Sequence, residues 1–229
     1  MLRVGLTGGL ASGKSTVAGY LRDLGAHVVE ADELGRALME PGQAVFSSII
    51  ECFGLQVVGE DGRLNRARLA ELAFREGRIH DLNAIVHPAV IEAQRHWMDE
   101  VFGLDPSAVA VVESALIFEV ERDARARGEA QTVLADWRRR FDRVVVVTAP
   151  EKLKVERYVG RLNPDEAGRE AVAADAKGRL ALQIPDDEKA ARADYVLENT
   201  GDREALHAQV LAVWERLKAE SNKCFPAEF

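Results

Sequence analysis

Five short apolar runs rich in valine recur along the chain, at residues 2–6, 27–30, 108–112, 143–148 and 195–198. Most lack the polar alternation of a strand with one wet face, so they predict strands buried on both sides. Between them apolar residues fall at helical spacing, as at Val17, Tyr20, Leu21 and Leu24. Strands alternating with helices predict an α/β fold, a five-stranded parallel sheet flanked by helices.

Some intervals are too long or too polar for simple crossovers. Residues 33–107 hold several helical stretches, broken at Gly54 and Asp61-Gly62, with Asn65 placed to cap a helix; they predict a helical subdomain beside the sheet. Residues 121–140 are half charged, with Val133, Leu134 and Trp137 as one thin apolar stripe, and predict a solvated helix or helix pair. The stretch from Asn163 to Lys189 has few large apolar residues and many charges, including Arg169, Lys177, Arg179 and Lys189. It reads as a lid over about 161–189. The core of a single domain over 1–229 then comprises about 1–32, 108–160 and 190–220. The tail from Ser221 to Phe229, with Pro226, reads as a frayed end.

Composition narrows the setting. With 47% hydrophobic and 30% charged residues the chain can fill a core and stay in solution. No run approaches the roughly 18 apolar residues of a membrane span. Gly8, Gly9, Ser12 and Lys14 interrupt any secretory segment, so a soluble cytoplasmic protein is expected, with no membrane partner. A net charge of −8 argues against coating nucleic acid but leaves room for a local basic pocket. Cys52 and Cys224 form no C-x-x-C pair and read as two inert thiols in a reducing compartment.

The candidate chemistry sits in GLTGGLASGKST, from Gly5 to Thr16, directly after the first apolar run. Gly8-x-x-x-x-Gly13-Lys14-Ser15 fits the phosphate-binding loop, and the strand before it and helix after it are the context that loop requires. Its glycines let backbone N–H groups face phosphate oxygens with no Cβ in the way. The following helix adds the positive end of its dipole. Lys14 supplies a point charge for the β- and γ-phosphates, and the Ser15 hydroxyl can coordinate Mg²⁺. Gly8, Gly9, Ala11, Ser12, Gly13, Lys14, Ser15 and Thr16 are the expected residues for binding a nucleoside triphosphate, ATP in the case of a kinase.

Nucleotide binding leaves the fate of the γ-phosphate open among kinase, GTPase-type switch and ATPase motor. Asp32-Glu33-Leu34-Gly35 has the D-x-x-G form of a switch, and Asn199-Thr200-Gly201-Asp202 loosely echoes a guanine-reading N-K-x-D. Thr200 replaces the lysine of that motif, however, and Asp32 follows Lys14 by only 18 positions, which leaves no room for a switch segment. Val109-Ala110-Val111-Val112-Glu113 resembles the acidic strand of a motor but equally describes a buried strand ending at the active edge of a sheet. A kinase uses Asp32 more naturally. It follows the second strand, at the sheet edge where ligands collect, and can accept the proton of an attacking hydroxyl. Arg157 and Arg161, four apart on one helix face, can offer cations to the transferring group. His87-Pro88 read alone is modest, since proline suits the first turn of a helix and His87 would merely precede it.

At these residues the sequence resembles the dephospho-coenzyme A kinases. The whole loop from Val4 to Thr16 is similar, as are Glu30-Ala31-Asp32, Phe53-Gly54, Asp61-Gly62, Leu64-x-Arg66 and Leu82-Asn83-x-Ile85-Val86-His87-Pro88. Leu116-Ile117-Phe118-Glu119, Arg157-x-x-x-Arg161, Arg179-x-x-x-Gln183 and Ala193-Asp194-Tyr195-Val196-Leu197-x-Asn199 follow in family order. The resemblance implies transfer of the γ-phosphate of ATP to the 3′-hydroxyl of dephospho-coenzyme A, with Mg²⁺. Asp32 would be the base, Lys14 and Arg157 would stabilise the transferring group, and Ser15 would hold the metal. His87 and Arg161 would bind the acceptor, the helical subdomain would embrace it, and Asn199 would border the adenine. Ala115 stands where the family commonly has proline, Lys154 where it has glutamine, and 120–142 is longer than the usual connection. Another small-molecule or nucleoside monophosphate kinase is the alternative on this scaffold, and a nucleotide-binding regulatory protein is the alternative of another class.

Overall fold

The computed structural model describes residues 1–224, except for the side chain of Cys224; the Cys224 thiol and Pro226 lie outside the described residues. In chain order the elements are β1 (Leu2–Gly8), α1 (Lys14–Asp23), β2 (His27–Glu30), α2 (Ala31–Leu38), α3 (Ala44–Phe53), α4 (Arg66–Ala70) and α5 (Ile79–Leu104). They continue with β3 (Val109–Glu113), α6 (Ile117–Ala126), β4 (Arg143–Thr148), α7 (Glu151–Leu162), α8 (Arg169–Leu182), α9 (Asp186–Ala190), β5 (Tyr195–Glu198) and α10 (Arg203–Cys224). All five expected strands form, in the order β2-β3-β1-β4-β5, and the sheet is parallel.

By packing the chain divides into two compact units, Met1–Val28 with Met98–Phe229, and Val29–Trp97. In the first, strands β1, β3 and β4 are covered on both faces, which explains their unbroken apolar runs. Successive side chains of a strand point to opposite faces, so Leu2, Val4 and Leu6 share one face with Val109, Val111, Val145 and Val147. That face packs against Val17 and Leu21 of α1 and Val210, Trp214 and Leu217 of α10.

The charged interval 121–140 departs from expectation. Instead of a solvated helix pair, α6 ends at Ala126 and two short 3₁₀ turns follow, over Val133–Ala135 and Trp137–Arg139. Trp137 is among the largest wholly buried side chains and meets Phe118 edge to face, with ring centroids 6.2 Å apart. Leu134 is buried beside it, whereas Val133 faces solvent. Arg140 donates to the Ile117 carbonyl at 2.8 Å, and burial pushes its pKa down to about 10. A period-counting reading misses this because two compact turns replace a helix, leaving no regular spacing to detect.

Two other expectations change. Lys189, grouped with the solvated charges of the lid, is wholly buried and forms an ion pair with Glu119 at 2.7 Å. Its partner lies seventy positions earlier in the chain, where composition cannot reveal it. The end expected to fray from Ser221 is helical through Cys224; Ser221 is buried, and its hydroxyl donates to the Ser107 carbonyl at 2.5 Å.

The second unit is helical. Val45, Ile49 and Phe53, spaced four apart along α3, make one stripe that packs with Val57, Leu69 and Leu72 and with Leu82, Ile85, Val86 and Ala89 of α5. The Asn65 side chain caps α4 as expected, accepting from Arg68 N–H at 3.0 Å. Pro88 does not open a helix; it lies inside α5, nine helical residues after the start. An interior proline costs about 3 kcal/mol, and the partly buried Val86 and Ala89 on either side of it pack against the α3 cluster.

Candidate active site

The site in the first unit begins where β1 meets α1. Gly8 and Gly13 have φ of 153° and 105°, in the region that favours glycine. A Cβ on Gly8 would press on the Val147 carbonyl, and one on Gly13 would press on the Asn199 amide. These two glycines are therefore required by the loop's close packing as well as by its turn. Ser12 N–H donates to the Gly9 carbonyl at 3.2 Å, and Thr16 and Val17 N–H donate to the Gly13 carbonyl at 3.1 Å, closing the loop into the first turn of α1. Lys14 folds back along this arch, its ammonium 3.1 Å from the Gly9 carbonyl. Backbone donors, a lysine and a helix N-terminus thus converge, an arrangement suited to polyphosphate.

Ser15, at the same end of α1, donates its hydroxyl to Glu113 Oε1 at 3.2 Å. Glu113 closes β3 and is largely buried. The acidic strand end that the sequence left open between a motor motif and a plain buried strand therefore belongs to the site. A hydroxyl and a carboxylate, both hard oxygen donors, fit Mg²⁺, which takes few protein ligands and retains several waters.

Two groups hold the far half of the loop. The Asn199 side chain, buried just beyond β5, donates to the Ser12 carbonyl at 2.8 Å and accepts from Arg157 Nη2 at 2.7 Å. Arg157 Nη1 is 3.4 Å from the same Ser12 carbonyl, and burial lowers the guanidinium pKa. With its amide committed in this way, Asn199 braces the loop. Arg161 does not reach the loop: its guanidinium lies over the Tyr158 ring, 5.4 Å from the centroid, and Tyr158 in turn donates to Asp175 at 2.8 Å.

Gly8, Gly9, Ala11, Ser12, Gly13, Lys14, Ser15, Thr16, Arg157 and Asn199 all fall within the first unit. Asp32 and His87 fall within the second. Asp32 is the second residue of α2 and is exposed, while His87 is half-buried on α5 immediately before Pro88. Two residues beside the loop had no assigned role in the sequence reading. Leu10 N–H donates to Gln183 Oε1 at 2.9 Å, and Asp186 pairs with Lys154 at 2.5 Å next to Gly9. Lys154 was noted only as a departure from the family's glutamine, which gave no indication that Asp186 is its partner.

The model of a family described as dephospho-CoA kinase matches residues 2–205. The chain is 34% identical to the dephospho-CoA kinase of Moorella thermoacetica over 219 residues, 95% of this chain and 93% of that one. It is 38% identical to the dephospho-CoA kinase of Syntrophotalea carbinolica over 218 residues, 95% and 92% of the two. Among solved structures, TT1252 from Thermus thermophilus is similar with a TM-score of 0.69 at 34% identity, covering 94% of this chain and 97% of that one. A dephospho-CoA kinase from Campylobacter jejuni shares the fold, with a TM-score of 0.55 at 20% identity over 94% and 96% of the two chains.

Proposed function

This chain belongs to the dephospho-CoA kinase family, and we propose from that membership how its residues divide the work. The reaction moves the γ-phosphate of ATP to the 3′-hydroxyl of dephospho-coenzyme A, giving coenzyme A and ADP. In-line phosphoryl transfer needs little covalent help from the protein; it needs positioning and charge stabilisation.

The loop from Gly8 to Thr16 holds the polyphosphate through its N–H groups, and Lys14 neutralises charge on the β- and γ-phosphates. Arg157, already at the loop through Ser12, adds a second cation for the transferring group. Ser15 and Glu113 would hold Mg²⁺, which when bound with ATP would offset the negative charge of the phosphates. Asp32 takes the proton of the attacking hydroxyl. Support for that role comes from its exposed carboxylate and its position two residues past β2, at the strand end where ligands of parallel sheets collect. His87 and the helices of the second unit bind the acceptor, and Arg161 offers it a cation. The part of the lid before Gln183, about 161–182, closes to exclude water, since 183–189 is pinned by the Lys189–Glu119 pair. Asn199 borders the adenine only through its backbone, since its amide is engaged. Among the described residues no helix is long and apolar enough to cross a membrane.

The observation that carries this reading is the convergence of Lys14, the Ser15–Glu113 pair and Arg157 on one phosphate loop. The test is ADP release from Mg²⁺-ATP with and without dephospho-coenzyme A, with AMP and shikimate as control acceptors. Turnover confined to dephospho-coenzyme A, with the product phosphorylated at the 3′ position, is expected. Turnover with a control acceptor in its place would refute the substrate assignment.

A further inference from the structure

The near half of the phosphate loop is tied to the segment that follows α8. Leu10 N–H donates to Gln183 Oε1 at 2.9 Å. A Cβ placed on Gly9 would come within 2.9 Å of the Lys154 ammonium and 3.0 Å of Asp186 Oδ1, so the Lys154–Asp186 ion pair sits directly against the loop backbone. Asp186 also accepts from Ala149 N–H at 3.1 Å, joining the segment to the end of β4. Gly9, Lys154, Gln183 and Asp186 line an open cavity of about 580 Å³. On that side the loop meets polar side chains rather than an apolar core, and these polar ties set its position.

The segment itself is fixed from behind. Ile184 N–H donates to Glu119 Oε1 at 2.9 Å. Lys189, wholly buried, pairs with the same carboxylate at 2.7 Å and donates to the Ala115 carbonyl at 3.0 Å. A buried ion pair makes a rigid anchor, because separating it strands a charge away from water. Gln183 therefore reaches the loop from a fixed backbone.

We propose that Gln183 is a positioning residue for the phosphate loop, accepting Leu10 N–H and so holding the near half of the loop in the shape that receives nucleotide phosphates. This deepens, and rests on, the reading that the loop binds ATP. Asn199 and Arg157 hold the far half through the Ser12 carbonyl, so the loop is braced on both sides by the chain itself. A loop ordered in advance loses less conformational freedom on binding, and the difference appears as affinity.

Gln183→Met keeps the length and shape of this half-buried side chain and removes its acceptor. Gln183→Glu restores the acceptor oxygen. Amide exchange at Leu10 is followed in nucleotide-free protein, and Mg²⁺-ADP is titrated with no acceptor present. In the Met variant Leu10 should exchange about tenfold faster and the Kd for ADP should rise about tenfold, the equivalent of one hydrogen bond. KM for ATP should rise while KM for dephospho-coenzyme A stays unchanged. The Glu variant should restore the protection of Leu10. Unchanged exchange with unchanged ADP affinity overturns the proposal. Faster exchange with tighter ADP binding also overturns it, because Gln183 would then be competing with phosphate. Wild-type protein that binds ADP but phosphorylates no dephospho-coenzyme A would refute the acceptor assignment and leave the role of Gln183 standing.

Discussion

Asn199 is the point at which packing and nucleotide binding are most directly coupled. Its amide donates to the Ser12 carbonyl at 2.8 Å and accepts from Arg157 at 2.7 Å, within a nearly closed environment. Asn199→Ala removes one neutral hydrogen bond, worth about 1 kcal/mol net, and one to a charged group, worth about 1.5–3 kcal/mol. Arg157 is partly accessible and can be rehydrated, so the lower end applies and the loss is about 2.5 kcal/mol. In a chain of this size that lowers Tm by about 5–10 °C. The loop also loses its far brace, and the Kd for Mg²⁺-ADP should rise about tenfold. Asn199→Asp separates the two bonds: its carboxylate keeps Arg157 but turns an oxygen toward the Ser12 carbonyl and adds negative charge where phosphates bind. ADP should therefore bind the Asp variant more weakly than the Ala variant. Denaturant unfolding of both variants and nucleotide titration make the comparison. An Ala variant within about 0.5 kcal/mol of wild type, with unaltered ADP affinity, would refute the idea that these bonds hold the loop.

Other perturbations separate the remaining roles. Asp32→Asn keeps the side-chain shape but removes the proton acceptor, so transfer should fall about 10²- to 10⁴-fold while ADP affinity holds; parallel loss of nucleotide binding would count against a base. Trp137→Ala empties a buried site against Phe118 and should destabilise the protein by about 3–5 kcal/mol in denaturant unfolding. A loss below about 1 kcal/mol would return the 121–140 stretch to the surface. Asp142 offers a pH test: burial works to raise its carboxyl pKa, but the hydrogen bonds and charge of Arg3 outweigh this and leave it lowered. A lowered folded-state pKa means that ionised Asp142 favours the fold above its unfolded-state value, and that the contribution disappears as pH falls through the folded value. Asp142→Asn should thus be less stable than wild type near neutrality and converge with it in acid; a constant gap across pH would contradict the linkage.

Much of this protein can be read from local pattern. The valine runs marked all five strands, and in β1, β3 and β4 the run is unbroken because a strand buried on both faces tolerates no polar alternation. The phosphate loop was legible because its backbone requirements are local: glycines where φ is positive, and a lysine and serine at the start of the next helix. Asn65 was readable as a cap for the same reason, its bond spanning three residues. Tertiary structure decided whatever depends on partners distant in the chain. It placed Glu113 against Ser15, Asn199 and Arg157 against Ser12, and Gln183 against Leu10, pairs separated by 98, 187, 145 and 173 positions. It also buried Lys189 with Glu119 and Trp137 with Phe118, in stretches whose composition read as solvated. Hydrophobic periodicity and loop motifs are short-range constraints, each satisfied within a turn or a strand. The value of a charged or amide side chain depends instead on which groups the folded chain brings within about 3 Å of it, and no local pattern carries that information.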